Sequence, residues 1–150
     1  MSVAVGRDDT IAAIATASGV GAVAIVRLSG REAHAIARRC GARFPNAPSA
    51  VVHTTVHAPD TPSEVIDDAL VLRFDAPHSF TGEDVVEFQL HGGRVGSARM
   101  LAACVLAGAR EALAGEFTER AVRHGRVDLL QGEAIGELIE ARARGAHAAA

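Results

Sequence analysis

The chain has 150 residues, 49% of them hydrophobic and 22% charged, with a formal net charge of −3 at pH 7. This length supports one ordinary hydrophobic core and is too short for two independent ones. All basic side chains are arginines, and they are outnumbered by acidic residues, 15 against 18. A broad basic surface that holds nucleic acid by neutralising phosphates is therefore excluded, because it needs clustered cations.

Cysteine usage and the N-terminus indicate the compartment. Cys40 and Cys104 are the two cysteines, they are widely spaced, and they fit no CxxC or Cys/His pattern. The sequence therefore predicts neither a disulfide framework nor a zinc site. Residues 1–19 lack the basic start of a secretion signal, and no apolar run approaches the roughly 20 residues of a membrane helix. We expect a soluble, unprocessed cytoplasmic protein with no membrane partner.

The first half of the chain predicts short strands and one helix. Partly β-branched runs at residues 10–16 and 22–29 are typical of two strands around a tight connection. Ser29 is a candidate N-cap for a helix that ends at Cys40 and Gly41. Prolines punctuate the next segment, which leaves room for one strand near residues 51–57 and a loop before Val65.

The middle of the chain predicts a strand with one polar face. Residues 66–74 read as a strand, and residues 76–84 have the Pro, Ser and Gly content of a structured loop. Strict alternation follows in DVVEFQLH, with a period of two that is typical of a half-buried strand. Val86, Phe88 and Leu90 share one face, and Glu87, Gln89 and His91 share the other.

Helices dominate the remainder. Residues 95–107 predict a helix whose apolar positions are Val95, Met100, Leu101, Val105 and Leu106. After a short helix in FTERAVRHG, Asp128 and Gln131 have the spacing of a capping box that opens a longer helix. That helix carries an apolar stripe of Leu129, Leu130, Ala134, Ile135, Leu138 and Ile139. Such a stripe can dock on its own domain, dimerise, or begin a second domain; we favour the third.

Three stretches carry a family resemblance: DTIAAIATASGVGAVAIVRLSG, HSFTGEDVVEFQLHGG and GEFTERAVRHGRVDLLQGEAIGELIEA. They resemble, in order and separation, the N-terminal region of the MnmE (TrmE) family of tRNA modification GTPases. The resemblance implies an α+β fold with a mixed β-sheet and packed helices, similar to the tetrahydrofolate-binding domains of aminomethyltransferases. It implies a folate-binding and dimerisation domain at 1–116, and the beginning of a truncated helical domain at 117–150.

The resemblance also implies a function. Members bind a tetrahydrofolate derivative, 5-formyl or 5,10-methylene, form a homodimer, and modify the wobble uridine of tRNA with a flavin-dependent MnmG-type partner. Their GTP, Mg²⁺ and K⁺ belong to a G domain that we expect to be missing, since a P-loop needs a lysine and this chain has none. For this chain alone we expect ligand binding without turnover. The sequence differs from the family pattern at four loop positions, Ala17, Ser18, Val20 and Ala114. We expect these differences to change the local geometry of the loops.

Three residues match the folate-contacting positions of the family: Arg27, Glu87 and Arg126. A carboxylate can accept two N–H bonds from the guanidine-like edge of a pterin, and an arginine fork can pair with the carboxylate of a glutamate tail. The alternatives are a solvent-facing strand carboxylate at Glu87, a structural Arg27–Glu87 ion pair, and a solvated or helix-capping Arg126.

Other polar residues carry weaker signals. His91 is read as a structural hydrogen-bonding group, and His53 and His57 share a strand face without a third metal ligand. Glu83 and Asp84 face opposite ways and fix the loop beside Glu87. Two rival functions stay open at this point: a stand-alone folate-dependent enzyme of the aminomethyltransferase kind, and a structural dimerisation module that binds no ligand.

Overall fold

The computed structural model describes residues 8–45 and 47–148, with side chains through residue 141. Within them lie six strands and four helices, which confirms the predicted α+β class. In chain order the elements are β1 (Ile11–Ile14), β2 (Val23–Ser29), α1 (Ala33–Arg39), β3 (Ala50–Ala58), β4 (Thr61–Phe74), β5 (Val85–His91), α2 (Arg94–Leu106), β6 (Arg110–Glu111), α3 (Glu116–Arg123) and α4 (Leu129–Ala148).

One mixed sheet organises the domain, with the strand order β3-β4-β5-β2-β1-β6. Neighbouring strands are antiparallel except β1 and β6, which pair in parallel. Strands β5 and β2 occupy the two middle positions of this order. Both edges of each strand are paired, β2 with β1 and β5, and β5 with β2 and β4.

The sheet has one buried face and one open face. Val26 and Leu28 of β2 and Phe88 of β5 are fully buried in a core that also contains Met100 and Cys104 of α2. Successive strand residues alternate between faces, so Arg27 and Glu87 project from the opposite, partly open side. The alternation predicted for β5 is confirmed, and it leaves a polar row uncovered by helices α1 and α2.

Two local predictions in the first half were wrong. Ser29 is the last residue of β2 rather than a helix cap, and α1 begins at Ala33 after an N-cap at Glu32 without a side-chain bond. The predicted loop before Val65 is instead a tight hairpin turn, since β4 already begins at Thr61. Pro62 fits there because the β3–β4 register shifts in this segment, and a bulge does not require its missing N–H.

The buried face of α2 contains only part of its apolar pattern. Val95 and Leu106, two of the apolar positions of the predicted helix, are 73% and 76% exposed. The helix instead buries Met100 together with the small residues Ser97, Ala103 and Cys104. Small side chains let the helix axis approach the sheet closely. Side-chain size as well as hydrophobicity therefore determines which face of α2 is buried.

The C-terminal helices agree with the sequence pattern. The backbone N–H of Asp128 donates to Gln131 Oε1 at 2.9 Å, and the N–H of Gln131 donates to Asp128 Oδ1 at 2.7 Å, which confirms the capping box. The apolar stripe of α4 is largely uncovered, with Leu130 and Leu138 77% and 57% exposed. Among the described residues, no helix is long and apolar enough to cross a membrane. The division into two domains at residue 116 stays a prediction.

A substitution at Gly92 tests how closely the end of β5 packs against the β1–β2 connection. A Cβ added at Gly92 would lie 1.5 Å from the carbonyl oxygen of Gly21, so backbone would have to move. We expect Gly92→Ala to lower the free energy of unfolding by about 1–3 kcal/mol in urea denaturation. The matched control is Gly96→Ala in α2, where the new methyl group meets no atom within 4 Å. Stability should there rise by up to about 1 kcal/mol, and equal effects of the two substitutions would contradict the close packing at Gly92.

Candidate functional site

Arg27 and Glu87 form an ion pair across the two central strands. The register places them directly opposite each other on β2 and β5. Arg27 donates from Nε to Glu87 Oε1 at 2.8 Å, and Nη2 lies 2.7 Å from the same oxygen. Within the described part of the chain, Glu87 Oε2 accepts no hydrogen bond. The ion pair that the sequence left open as an alternative is present, and it leaves one carboxylate oxygen available; ligand contact by either residue stays a prediction.

Two phenylalanines flank the Arg27 guanidinium. Its Cζ lies 5.6 Å from the ring centroid of Phe80 and 5.5 Å from that of Phe117. Phe80 comes from the loop after β4, and Phe117 comes from α3. Cation–π contact of this kind adds roughly 0.5–2 kcal/mol and fixes the plane of the guanidinium. The sequence pattern did not single out either ring, because the contacts join segments far apart in the chain.

A cavity of about 340 Å³ opens beside this arginine. Its floor is the end of β1 with Arg27, and its walls are Phe80, Phe117 and the loop at residues 112–115. Ile135 and Ile139 of α4 close a further side. The described lining residues therefore combine apolar and aromatic walls with the guanidinium of Arg27 and the polar side chain of Thr118, a composition typical of a small-molecule site.

A larger depression, of about 610 Å³, lies between the β1–β2 connection and the first turn of α2. Among the described residues that line it, Arg94 is the one charged side chain, and none is aromatic or acidic. Size alone would favour it as the binding site. The smaller cavity is the better candidate because polar and aromatic groups from three separate segments converge on it, namely β2, the loop after β4 and α3.

Arg126 lies against the loop that carries Phe80, one of the residues that line the smaller cavity. A Cβ added at Gly82 would lie 3.2 Å from Arg126 Cγ and 2.8 Å from His124 Cβ, so the α3–α4 connection packs directly on Gly82. The Arg126 backbone N–H donates to Ala121 O at 2.8 Å. Within the described residues, no hydrogen bond joins its guanidinium to the Arg27–Glu87 pair. The structure thus brings two of the three predicted residues together and sets the third against the neighbouring loop.

A buried arginine on α3 holds these segments in place. Arg120 is 1% exposed and donates to Asp9 Oδ1 at 2.7 Å, to Glu83 Oε2 at 3.1 Å and to Glu116 Oε1 at 3.1 Å. Its Nη1 also donates to the carbonyl oxygen of Asp9 at 2.7 Å. Residues before β1, the loop before β5 and helix α3 are therefore tied to one guanidinium. Nothing in the sequence pattern marked Arg120, because its partners are spread over the whole domain.

Two of the acidic side chains around Arg120, Asp9 and Glu116, have a lowered pKa because arginines donate hydrogen bonds to them. Hydrogen bonds from Arg110 and Arg120 lower the pKa of Asp9 against the opposing effect of burial. Burial opposes the charge on Glu116 as well, yet bonds from Arg110, the Leu113 N–H and Arg120 keep its pKa below the ordinary value. The network extends to the loop through Ser29, whose Oγ donates to Glu83 Oε2 and lies 2.7 Å from Thr81 Oγ1. Glu83 and Thr81 thus fix the loop beside Glu87, as the sequence predicted.

The histidines engage carboxylates or backbone elsewhere. His91 Nδ1 lies 2.8 Å from Asp67 Oδ1, so its structural hydrogen-bonding role is confirmed. His53 Nε2 lies 2.9 Å from Asp68 Oδ2, whereas His57 Nδ1 lies 2.7 Å from the Ala58 carbonyl oxygen. His53 and His57 therefore have different partners although they share a strand.

The fold and the site define a class: an α+β domain that presents a paired arginine and glutamate beside a small, aromatic-walled cavity on the open side of its sheet. Residues 10–126 match the family described as "GTP-binding protein TrmE N-terminus". The chain belongs to this family.

Curated relatives agree over nearly the whole chain. A protein of Dichelobacter nodosus named "tRNA modification GTPase MnmE" is 48% identical over 143 residues, which cover 95% of this chain and 31% of that protein. The protein of the same name from Stutzerimonas stutzeri is 52% identical over 133 residues, or 89% of this chain and 29% of that protein. The chain thus spans about three-tenths of the length of the relatives it matches.

Arg120 is expected to be the largest single contributor to the stability of the site. We expect Arg120→Met to lower the free energy of unfolding by about 3–5 kcal/mol, because Glu83 loses its guanidinium partner and Asp9 and Glu116 are left with Arg110 alone. Arg99→Met is the matched control, since Arg99 is exposed and donates to one backbone carbonyl. That control should change stability by less than about 1 kcal/mol in the same chemical denaturation. A small effect of Arg120→Met would show that the buried network is not what holds the site.

His91 should titrate above its ordinary value. The hydrogen bond and charge of Asp67 raise the pKa of His91 above 6.5, and Asp68 adds to the effect. The pair therefore stabilises the fold fully below the unfolded-state pKa of histidine, and this contribution is lost as pH rises through the folded-state pKa. In an NMR titration we expect Asp67→Asn to bring the His91 midpoint down toward 6.5. Asp60→Asn is the control, because Asp60 pairs with Arg39, and it should leave the His91 midpoint unchanged. A His91 midpoint that does not change in Asp67→Asn would contradict the pairing.

Proposed function

We propose that this chain binds a tetrahydrofolate derivative, 5-formyl or 5,10-methylene, at the Arg27–Glu87 pair. The observation that carries the proposal is the carboxylate of Glu87, which is paired with Arg27 through Oε1 and keeps Oε2 open. The pterin ring presents adjacent N–H groups along one edge. A carboxylate whose second oxygen is unoccupied can accept them, and such charge-assisted bonds contribute more than neutral ones.

The cavity beside Arg27 supports the same ligand. At about 340 Å³ it lies at the small end of ligand pockets, which commonly measure about 300–1,000 Å³. Its apolar and aromatic walls suit the ring system of a folate, and Arg27 lies at its floor. Arg126, set beside the loop of Phe80, is assigned to the carboxylates of the glutamate tail.

The name of the relatives, tRNA modification GTPase, supports a wider role in tRNA modification. We propose that the domain forms a homodimer and holds the one-carbon donor for modification of a tRNA wobble uridine, with an MnmG-type flavoenzyme as partner. GTP, Mg²⁺ and K⁺ are assigned to a G domain elsewhere in the longer protein, because the chain has no lysine for a P-loop. A cytoplasmic location is consistent with the two free cysteines.

Calorimetric titration of the chain with 5-formyltetrahydrofolate tests the proposal. Glu87→Gln keeps the shape of the side chain but removes the charge, and we expect a loss of affinity of about 30-fold or more, the equivalent of about 2 kcal/mol for charge-assisted bonds. Glu64→Gln is the control because Glu64 is an exposed carboxylate on β4. It should bind with unchanged affinity.

Two outcomes would decide against folate binding at this pair. A folded wild-type chain that gives no heat of binding would favour the structural dimerisation module. Equal affinity of the wild type and Glu87→Gln would place the ligand elsewhere. Sedimentation of each sample alongside the titration reports on the dimer separately, so ligand binding and association are not confused.

A further inference from the structure

Four exposed apolar side chains surround the cavity beside Arg27. Ile139 of α4 is 62% exposed, Leu113 is 59%, Ile14 is 40% and Phe80 is 39% exposed, and all four line this one cavity. Single exposed apolar residues are ordinary, but several that converge on one concavity are typical of a binding site. Their burial requires an apolar or aromatic group in the space between them.

The position of α4 relative to this cavity is fixed at one end. Gly132 lies close against α3, since an added Cβ would sit 2.9 Å from Val122 Cγ2 and 3.6 Å from Thr118 Cγ2. Helix α3 is in turn held by the Arg120 network. Ile135 lies about one turn beyond this contact and Ile139 about two turns beyond it, on the same side of the helix. The α3 contact therefore presents both isoleucines to the cavity.

Of the two isoleucines of α4 that line the cavity, the one further from the α3 contact is the more exposed. Ile135 is half-buried, whereas Ile139, one turn further from the anchor, is mostly exposed. The cavity is also lined by the end of β1, a strand of the sheet, and by the loop at residues 112–115, which follows β6. A molecule in the cavity would thus touch the sheet on one side and α4 on the other.

We infer that helix α4 completes the folate site: Ile135 and Ile139 contact the aromatic ring that links pterin and glutamate, and the bound ligand clamps α4 against the sheet. This inference rests on the proposed folate binding. Arg27, the ion-pair partner of Glu87, lines this cavity, whereas Glu87 does not. A ligand whose pterin edge is bound by Glu87 therefore places its neighbouring aromatic ring in the apolar part of the cavity beyond Arg27. Burial of that ring covers the side chains of Ile14, Leu113 and Ile139 and supplies the driving force for the clamp.

Hydrogen exchange and affinity measurements on the 150-residue chain test the clamp together. With saturating 5-formyltetrahydrofolate, the amides of residues 133–141 should exchange at least about fivefold more slowly, because the clamp suppresses local opening. Ile139→Ala should weaken binding about tenfold through lost apolar burial, and Ile139→Leu should restore most of it. Leu130→Ala is the control on the same helix, since Leu130 is 77% exposed and does not line this cavity. Its affinity should stay within about twofold of the wild type.

The results separate the two proposals. No binding by the folded wild-type chain overturns folate binding and the clamp with it. Wild-type binding that depends on Glu87, but with unchanged exchange in residues 133–141, overturns the clamp alone. The same holds if Ile139→Ala binds as tightly as the wild type. Alanine is a better helix former than isoleucine, so a folding defect of this variant is not expected, and circular dichroism checks it.

Discussion

The buried guanidinium of Arg120 is the constraint on which the site depends. A charge that is 1% exposed is tolerated only where ionised partners surround it, and here Asp9, Glu83 and Glu116 supply them from three separate segments. Each partner fixes a piece of the site: Glu83 fixes the loop of Phe80, and Glu116 fixes the helix of Phe117. The two rings can flank Arg27 because their segments are held by a common cation.

The Arg27–Glu87 pair has a different energetic character. Its side chains are 25% and 16% exposed, so water screens these charges more than that of Arg120, which is 1% exposed. The pair therefore contributes less to folding than the Arg120 network does. A rigid position on the open face, with one carboxylate oxygen unused, suits ligand recognition better than support of the fold.

The sequence predicted what local patterns determine. Alternation placed Glu87 on the open face of β5, and the spacing of Asp128 and Gln131 identified the start of α4. It failed where the partners are distant in the chain. Ser29 looks like a cap by its neighbours, but its hydrogen bonds reach Thr81 and Glu83, 52 and 54 residues away. The roles of Phe80, Phe117 and Arg120 depend on the same long-range contacts, so no local signal could reveal them.

The uncovered stripe of α4 has two parts with different meanings. Ile135 and Ile139 border the cavity, whereas Leu130 and Leu138 are 77% and 57% exposed and do not line it. The first part needs only a small molecule to cover it, and the second needs a surface of protein size. The curated relatives are about three times as long as the matched region. Their additional residues could therefore cover the second part. A folate that clamps the first part would therefore set the angle at which α4 presents the second, and ligand occupancy and the docking of neighbouring segments would act on the same helix.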